Sequence, residues 1–531
     1  MNGFVLFSFI LIVVGIGGYA YVKSRKVNTN TSEGYFLGGR SLTGITIAGT
    51  VVMTNLSTEQ LVGQNGQSYV AGMEVMAWEV TAAIALVFLA LVFLPKYMKY
   101  GVDTISDFIE IRYDTTTKRI VSLLFIFTYM TSFLPVVLYS GSLVFNHIFS
   151  IDKILDVDPL VAVAIISTVI GVLGLVYLLL GGLSLAAFSD TIYGVLLIVG
   201  GISIPIIGLM ILGDGSFLEG LNSVREKAPE KLNAIGSIDS EIVPWPTLFL
   251  GMFFNNLYFW CTNQMIVQKT LAGKNLKEGQ KGALYVAFFK IFGALFLVFP
   301  GIIAFHMFGD SIENPDHAYP VLLTAVLPDW AYGIFGAVIF GAILSSFVGS
   351  LNATATLFTL DFYKPRLKKG VTDWQIARAG KIVTILVGLI SIMISPLISF
   401  APSGLYALLQ EFYGLYSMPL LAIIVFGFYS KYVTAQGAKI TFIFHIVVYL
   451  FAQIFFSDVH YLYVLSILFP VDVLVLWLAT KIKPLTTPFT FETDDNKVNV
   501  TPWKHRYLIS ALVVIAMVSA YIVFSPLVLA N

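Results

Sequence analysis

The stretch Thr54-Asn55-Leu56-Ser57-Thr58-Glu59-Gln60 interrupts an apolar run that begins near Leu42. Hydrocarbon offers no water to satisfy a stray donor or acceptor, so this stretch cannot face lipid. A helix that unwinds here frees main-chain carbonyls beside side-chain hydroxyls, and such oxygens suit an alkali cation. Asn256-Leu257 lies mid-span in similarly polar surroundings, five spans further along. The two stretches would therefore cross in opposite directions. Paired interruptions of this kind mark transporters built from inverted repeats.

The rest of the chain supports a membrane setting. Hydrophobic residues make up 57% and charged residues 12%, against ordinary soluble values of about 45–50% and about 25%. Fourteen apolar runs begin near Phe4, Leu42, Val75, Ile120, Leu160, Ala187, Pro246, Ala283, Ala331, Lys381, Leu405, Gly437, Tyr461 and Leu508. At a rise of about 1.5 Å per residue each run can cross roughly 30 Å of hydrocarbon. Of the 31 Lys and Arg residues, 26 fall in six segments: Lys23–Arg40, Lys96–Arg119, Lys269–Lys281, Lys364–Lys381, Lys431–Lys439 and Lys481–Arg506. The alternating segments hold only Lys153, Arg225, Lys227 and Lys231, and are acid-rich. Basic loops stay cytoplasmic, so both termini are expected outside. The expected fold is an all-α integral membrane domain over 1–531. It has an N-terminal helix at 4–22, a core at about 42–429 and three C-terminal helices at about 434–527. The basic residues Lys23, Arg25 and Lys26 follow the first apolar run instead of preceding it, so that run reads as a retained helix, not a signal peptide. The long loop from Gly213 to Val243 has room for a short helix, and the loop from Lys481 to Arg506 is expected to be mobile.

Several functions are excluded. Net charge is zero, which gives no footing for nucleic acid. One cysteine, Cys261, precludes an internal disulfide or a zinc cluster and reads as packing. No phosphate-binding loop, zinc-protease or hydrolase motif occurs, and no polar segment is long enough for a nucleotide-binding domain. The chain does not read as an enzyme, no obligate protein partner is evident, and any energy source must be an ion gradient.

Ionisable groups in mid-membrane cost roughly 2.5–3.5 kcal/mol each on insertion scales and invite a functional reading. Five stand out: Glu59, Glu79, Asp190, Lys290 and Glu411. Lys290 lies far from the nearest basic loop, so it does not simply snorkel; it faces a cavity, as a partner for Glu79 or Glu411 or as a ligand donor. Ser345-Ser346 could supply two hydroxyls to a cation, and equally could bond to their own helix backbone. Asp472 and His445 lack a visible partner and read as structural.

The order of short motifs adds a family resemblance. Gly34-Tyr35-Phe36-Leu37-Gly38-Gly39-Arg40-Ser41-Leu42, Asn55-Leu56-Ser57-Thr58-Glu59-Gln60 and Gly181-Gly182-Leu183-Ser184 leading to Asp190 come first. They are followed by Asn256-Leu257-Tyr258-Phe259-Trp260 with Asn263-Gln264, Ala318-Tyr319-Pro320, Leu351-Asn352-Ala353-Thr354-Ala355-Thr356 with Asp361-Phe362-Tyr363-Lys364, and Gln410-Glu411. Together they resemble the sodium/solute symporter family, near its sodium/galactose and sodium/glucose members, from about Gly34 to Tyr429. The resemblance implies about 14 transmembrane helices: a five-plus-five inverted-repeat core with broken first and sixth core helices, one helix before it and three after. It implies a solute site at Asn55, Gln60, Glu79, Asn256, Lys290 and Gln410. It also implies a sodium site from carbonyls of Met53, Leu56 and Ala342 with the hydroxyls of Ser345 and Ser346, and Asp190 on the ion's inward path. Glu59 and Glu411 would face away. The gates depart from the family pattern at Gln64, Trp78, Phe259 and Tyr406, and Ala82 replaces a serine. Val348 and Gly349 replace the hydroxyls of a second sodium site, so one sodium is expected.

The resulting expectation is a sodium-coupled symporter in the inner (plasma) membrane that imports a small polar solute, a monosaccharide first. A sugar acid, polyol or amino acid remains open within the family. A transporter-like sensor or a uniporter remains open outside it.

Overall fold

The computed structural model describes residues 3–366, 372–400, 405–491 and 498–530. Within them the chain is helical apart from loops and one isolated bridge between Leu42 and Gly273. The elements needed below are α1 Gly3–Ser24, α2 Gly44–Asn55, α3 Thr58–Ala71, α4 Pro159–Leu212, α5 Gly251–Thr262, α6 Gln264–Leu271 and α7 Leu276–Leu297. They continue with α8 Tyr332–Phe358, α9 Leu405–Gly414, α10 Ser417–Tyr429, α11 Ala435–Phe455, α12 Tyr461–Ile482 and α13 Arg506–Val523. Among the described residues ten helices are long and apolar enough to cross a membrane, or eleven if α9 and α10, bent by 46°, form one span.

Three interruptions shape the interior. Between α2 and α3, Leu56 (φ −82°, ψ 67°) and the extended Ser57 break the helix inside the polar stretch. Between α5 and α6 the break falls at Asn263, whose side chain accepts from the Met265 amide at 3.0 Å and caps α6. The sequence placed this second interruption around Asn256-Leu257. Those residues instead lie within α5, where Asn256 spends its amide on the Thr81 hydroxyl at 2.7 Å. The third break is at Gly182 in α4 (φ 56°, ψ −152°), where a Cβ would come within 2.7 Å of the Tyr35 carbonyl oxygen. Only glycine tolerates both that backbone region and that approach.

Burial sorts axis from rim. In the run Asp329–Arg366, which contains α8, 94% of the most apolar window is buried, against 22% for α1 and 11% for α13. α8 packs on α2, α4 and α1, whereas α13 rests on α7. A helix buried all round is apolar all round and presents its few hydroxyls inward; Ser345 and Ser346 lie on this axis.

Contacts between loops fall into two sets. On one face Arg40 pairs with Asp103 and Glu33, Lys118 with Asp107, Glu110 and Asp361, and Lys439 with Asp114. On the other, Lys231 donates to the Tyr69 and Val70 carbonyls, the Tyr69 hydroxyl to Gly309, and the Tyr463 hydroxyl to Ile238. Both chain ends lie on this second face: the Ala234 amide donates to Phe524 at 2.7 Å, and Gly333 abuts Val5 and Ser8. The basic and acid-rich segments of the sequence are thus gathered at opposite faces. The Gly213–Val243 loop does hold a helix, Phe217–Lys227. The Lys481–Arg506 loop, expected to be mobile, has docked flanks: Phe491 stacks on Tyr100 at 3.8 Å and the Trp503 amide donates to Gln280 at 2.7 Å. Its residues 492–497 lie outside the described residues, as do 367–371 of the Lys364–Lys381 segment.

Glu313 and Lys277 are both exposed, one in an acid-rich segment and the other in a basic one. On a Cys261→Ala background, the Glu313→Cys protein should react with an impermeant maleimide in intact cells, and the Lys277→Cys protein only after permeabilisation. Labelling of both from one side would contradict the two-faced arrangement.

Candidate functional site

A nearly closed cavity of about 20 Å³ lies beside the first break and behind the residues that precede the second. The first break contributes Thr54, Asn55, Glu59 and Gln60, and α5 contributes Phe259. α9 contributes Tyr406, Leu409, Gln410 and Tyr413, spaced so that one helical face points inward. Phe133 closes the remaining side. The Oε1 of Gln60 and the Tyr413 hydroxyl are buried there without a protein partner. Unpaired polar atoms in an enclosed cavity are costly unless a ligand or water meets them.

Beside the cavity runs a buried polar chain. Lys290 on α7 and Glu79 are each 1% exposed and form an ion pair. Lys290 Nζ also donates to Asn55 Oδ1 at 2.6 Å and sits 5.2 Å from the Trp260 ring, a cation–π distance. Glu79 Oε1 accepts from Gln64 Nε2 at 2.9 Å, and the same amide reaches the Tyr406 hydroxyl at 3.4 Å. Trp78 meets the Tyr406 ring edge-on at 5.3 Å. The sequence left Lys290 between two partners; it pairs with Glu79, while Glu411 is only half-buried.

Of the six expected solute residues, Asn55, Gln60 and Gln410 line the cavity, and Glu79 and Lys290 join it through Asn55. Asn256 does not line it and is held by Thr81. Its neighbour Asn255 instead donates to Gln410 at 3.3 Å. Glu59, expected to face away, lines the cavity with one carboxylate oxygen unpartnered. Phe133 gave no signal in sequence. Tyr413 could have been found from its three- and seven-residue spacing to Gln410 and Tyr406.

A second cluster surrounds the end of α2. Helix termination leaves the last carbonyls of α2 without intrahelical donors. Ser346 Oγ donates to two of them, Thr54 at 2.9 Å and Met53 at 3.2 Å. Ser345 Oγ stands 3.5 Å from Thr54 Oγ1. Leu56 lies at the break, and Ala342 precedes Ser345 on α8; both are fully buried. Carbonyl and hydroxyl oxygens converging here, with the Asp190 carboxylate behind Ser345, make a donor set suited to a monovalent cation. Asp190 accepts from Thr50 Oγ1 at 2.6 Å and lies 3.7 Å from Lys269 Nζ. Lys269, counted with the basic loops in sequence, is 1% exposed and points inward.

Beyond Tyr406 a vestibule opens on the acid-rich face, bordered by Gly63, Gly66, Glu241, Glu313, Asp316 and His460. Tyr406 borders both spaces and separates them. Burial pushes the Asp316 carboxyl up to about 6 against an amide bond from Leu405, and pushes the His460 imidazole down to about 4. His445 and Asp472, unpartnered in sequence, hold each other at 2.7 Å, and His445 Nε2 reaches the Gly414 carbonyl at 2.8 Å.

Comparison with known proteins gives a consistent family. The model of the sodium:solute symporter family matches residues 35–444. An Escherichia coli protein described as the uncharacterized symporter YidK is 41% identical over 98% of this chain and 91% of its own. The sodium/glucose cotransporter of Vibrio parahaemolyticus is 30% identical over 81% of each chain, and the bovine sodium/myo-inositol cotransporter 27% identical over 94% of this chain and 75% of its own. In fold, the chain is similar to a substrate-bound, outward-open Na+-coupled sialic acid symporter: TM-score 0.77, 20% identity, covering 92% of this chain and 98% of that one.

The Lys290–Glu79 pair sets a stability expectation. Lys290→Met leaves a buried carboxylate without its cation, which should cost about 3–5 kcal/mol. Lys290→Met with Glu79→Gln should recover most of that loss. Thermal unfolding in detergent measures both, and a single variant that melts like the parent would contradict the pairing.

Proposed function

The chain belongs to the sodium:solute symporter family, and from that premise we propose that it couples sodium entry to the import of a neutral, polyhydroxylated solute, a monosaccharide first. It is a membrane transporter, not an enzyme. The observation that carries the choice of solute is the Lys290–Glu79 pair. A carboxylate solute needs a cation to spare, and the lysine's charge is already matched by a buried acid while Glu59 adds a second carboxyl to the cavity wall. A sugar acid or amino acid would meet no surplus positive charge. A ring of hydroxyls needs only donors and acceptors, which Asn55, Gln60, Gln410 and the Tyr413 hydroxyl supply. A cyclic polyol is the second reading, supported by the similarity to sodium/myo-inositol cotransporters.

In this reading Asn55, Gln60, Glu79, Lys290 and Gln410 bind the solute, with Asn256 positioning Thr81 behind them. Gln64, Trp78 and Tyr406 form the outer gate, and Phe259 stacks on the solute from the inner side. One sodium is held by the carbonyls of Met53, Leu56 and Ala342 with Ser345 and Ser346, and leaves past Asp190. The single transporter domain covers 1–531 and crosses an inner (plasma) membrane fourteen times. That count takes α2 with α3, α5 with α6, and α9 with α10 as one crossing each, and divides α4 at Gly182. A five-plus-five inverted repeat then runs from about 42 to 429. The basic face is cytoplasmic and both termini are outside. Small solute, sodium and lipid are the partners it requires.

Reconstituted in proteoliposomes, the protein should accumulate a neutral sugar or cyclic polyol from a solute panel only when an inward sodium gradient is imposed. Preference for a sugar acid, or equal uptake without sodium, would overturn the reading. Ser346→Ala should raise half-saturating sodium at least tenfold, about 1.4 kcal/mol, with little change in expression. Unaltered sodium dependence would make the serine an ordinary helix residue.

A further inference from the structure

The ammonium of Lys269 uses the same kinds of oxygen as a transported alkali ion. Its Nζ donates to the Thr50 carbonyl at 3.1 Å, to Thr50 Oγ1 at 2.9 Å and to Thr54 Oγ1. Asp190 lies 3.7 Å away and is the one carboxylate in contact with it among the described residues. Thr54 faces two ways. Its hydroxyl meets Lys269 and, at 3.5 Å, Ser345, while its carbonyl accepts from Ser346 at 2.9 Å. A cation held by Ser345, Ser346 and the Met53 carbonyl would therefore sit against Thr54, and Ser345 also hydrogen-bonds Asp190, the lysine's own partner. Two buried cations beside one carboxylate leave an unmatched charge, which a dry interior penalises.

We infer that Lys269 is a tethered cation that competes with sodium for Thr54 and Asp190, so that loading displaces the ammonium and its return helps expel the ion inward. This inference rests on the sodium-coupled reading above. Two features fit a side chain that moves. Lysine is a compact point charge on a flexible four-carbon stem, without the rigid fork of arginine. Gly349, one turn beyond Ser345 on α8, leaves the ammonium its space: a Cβ there would stand 3.0 Å from Nζ and 3.2 Å from Thr54 Oγ1. Lys269 also follows the Asn263 break by under two turns, on the short helix α6. Any reorientation of that helix would carry the ammonium toward or away from Thr54. The role is one of positioning and competition, distinct from binding the solute.

The test is sodium dependence of solute uptake in proteoliposomes, with sodium-induced stabilisation against heat as a solute-free second readout. Lys269→Gln keeps donors and loses charge, and should lower half-saturating sodium at least threefold in both readouts. Gly349→Ala keeps the charge but crowds the ammonium away from α8. It should shift half-saturating sodium in the same direction by about twofold, the smaller change expected of a displaced charge–charge contact. A merely structural ion pair predicts a lower melting temperature for Lys269→Gln with half-saturating sodium unchanged or raised, and that result overturns the inference. Should Lys269→Gln fail to fold, the sign of the Gly349→Ala shift decides alone. A parent protein with no sodium dependence overturns the functional reading itself, a separate outcome from failure of the variants.

Discussion

Two main-chain oxygens, on Met53 and Thr54, decide what the rest of this molecule can be. A helix that ends within a bilayer strands its last carbonyls, and lipid cannot satisfy them. Here Ser346 on the most deeply buried helix supplies the missing donor. The break is stable only because α8 stands beside it. That requirement explains why the run containing α8 is almost wholly buried and why Gly341 lets the Tyr193 ring of α4 press against the axis. The apolar packing around α8 is thus the means by which a polar defect is kept inside.

The defect also brings together groups that hydrophobic burial alone would separate. Asn55 ends α2 and faces Lys290, which in turn draws Glu79, Gln64 and Tyr406 into one hydrogen-bonded chain. Each member is buried, and every buried side-chain polar atom among them except Gln64 Oε1 is met by a partner. On the proposed function, a solute would meet a largely ordered wall, with Glu59 Oε2, Gln60 Oε1 and the Tyr413 hydroxyl left over to recognise it. Such preorganisation lowers the entropy lost on binding.

Much of this was legible in the sequence because polarity inside apolar runs is expensive. Thr54 to Gln60 announced the first break, and Glu79, Asp190 and Lys290 announced the interior. The misreadings have physical causes. Asn256 looked like the second break, but its amide is satisfied by a side chain across the bundle, and the backbone opens at Asn263 instead. Lys269 lies near a helix end, where loop charges are counted, yet its stem turns inward to Asp190. Charge counting sees position along the chain and not direction. His445 and Asp472 sit on separate helices, α11 and α12, so no local pattern links them. Glu59 was assigned outward from family resemblance, while the turn that follows the break rotates it into the cavity.

The matching of buried charges has an electrical consequence. Lys290 with Glu79, Lys269 with Asp190 and His445 with Asp472 are each an acid and a base in direct contact, and a proton shared within such a pair leaves its sum unaltered. Pairs that travel together through the membrane field do no net work against it. Moving one charge through about 100 mV is worth roughly 2.3 kcal/mol, so a body whose buried charges are mostly paired offers the field little to act on until a pair is parted. On the proposed reading, the membrane potential acts on the sodium ion and on the one ammonium it displaces, and the charges that stay paired feel it little.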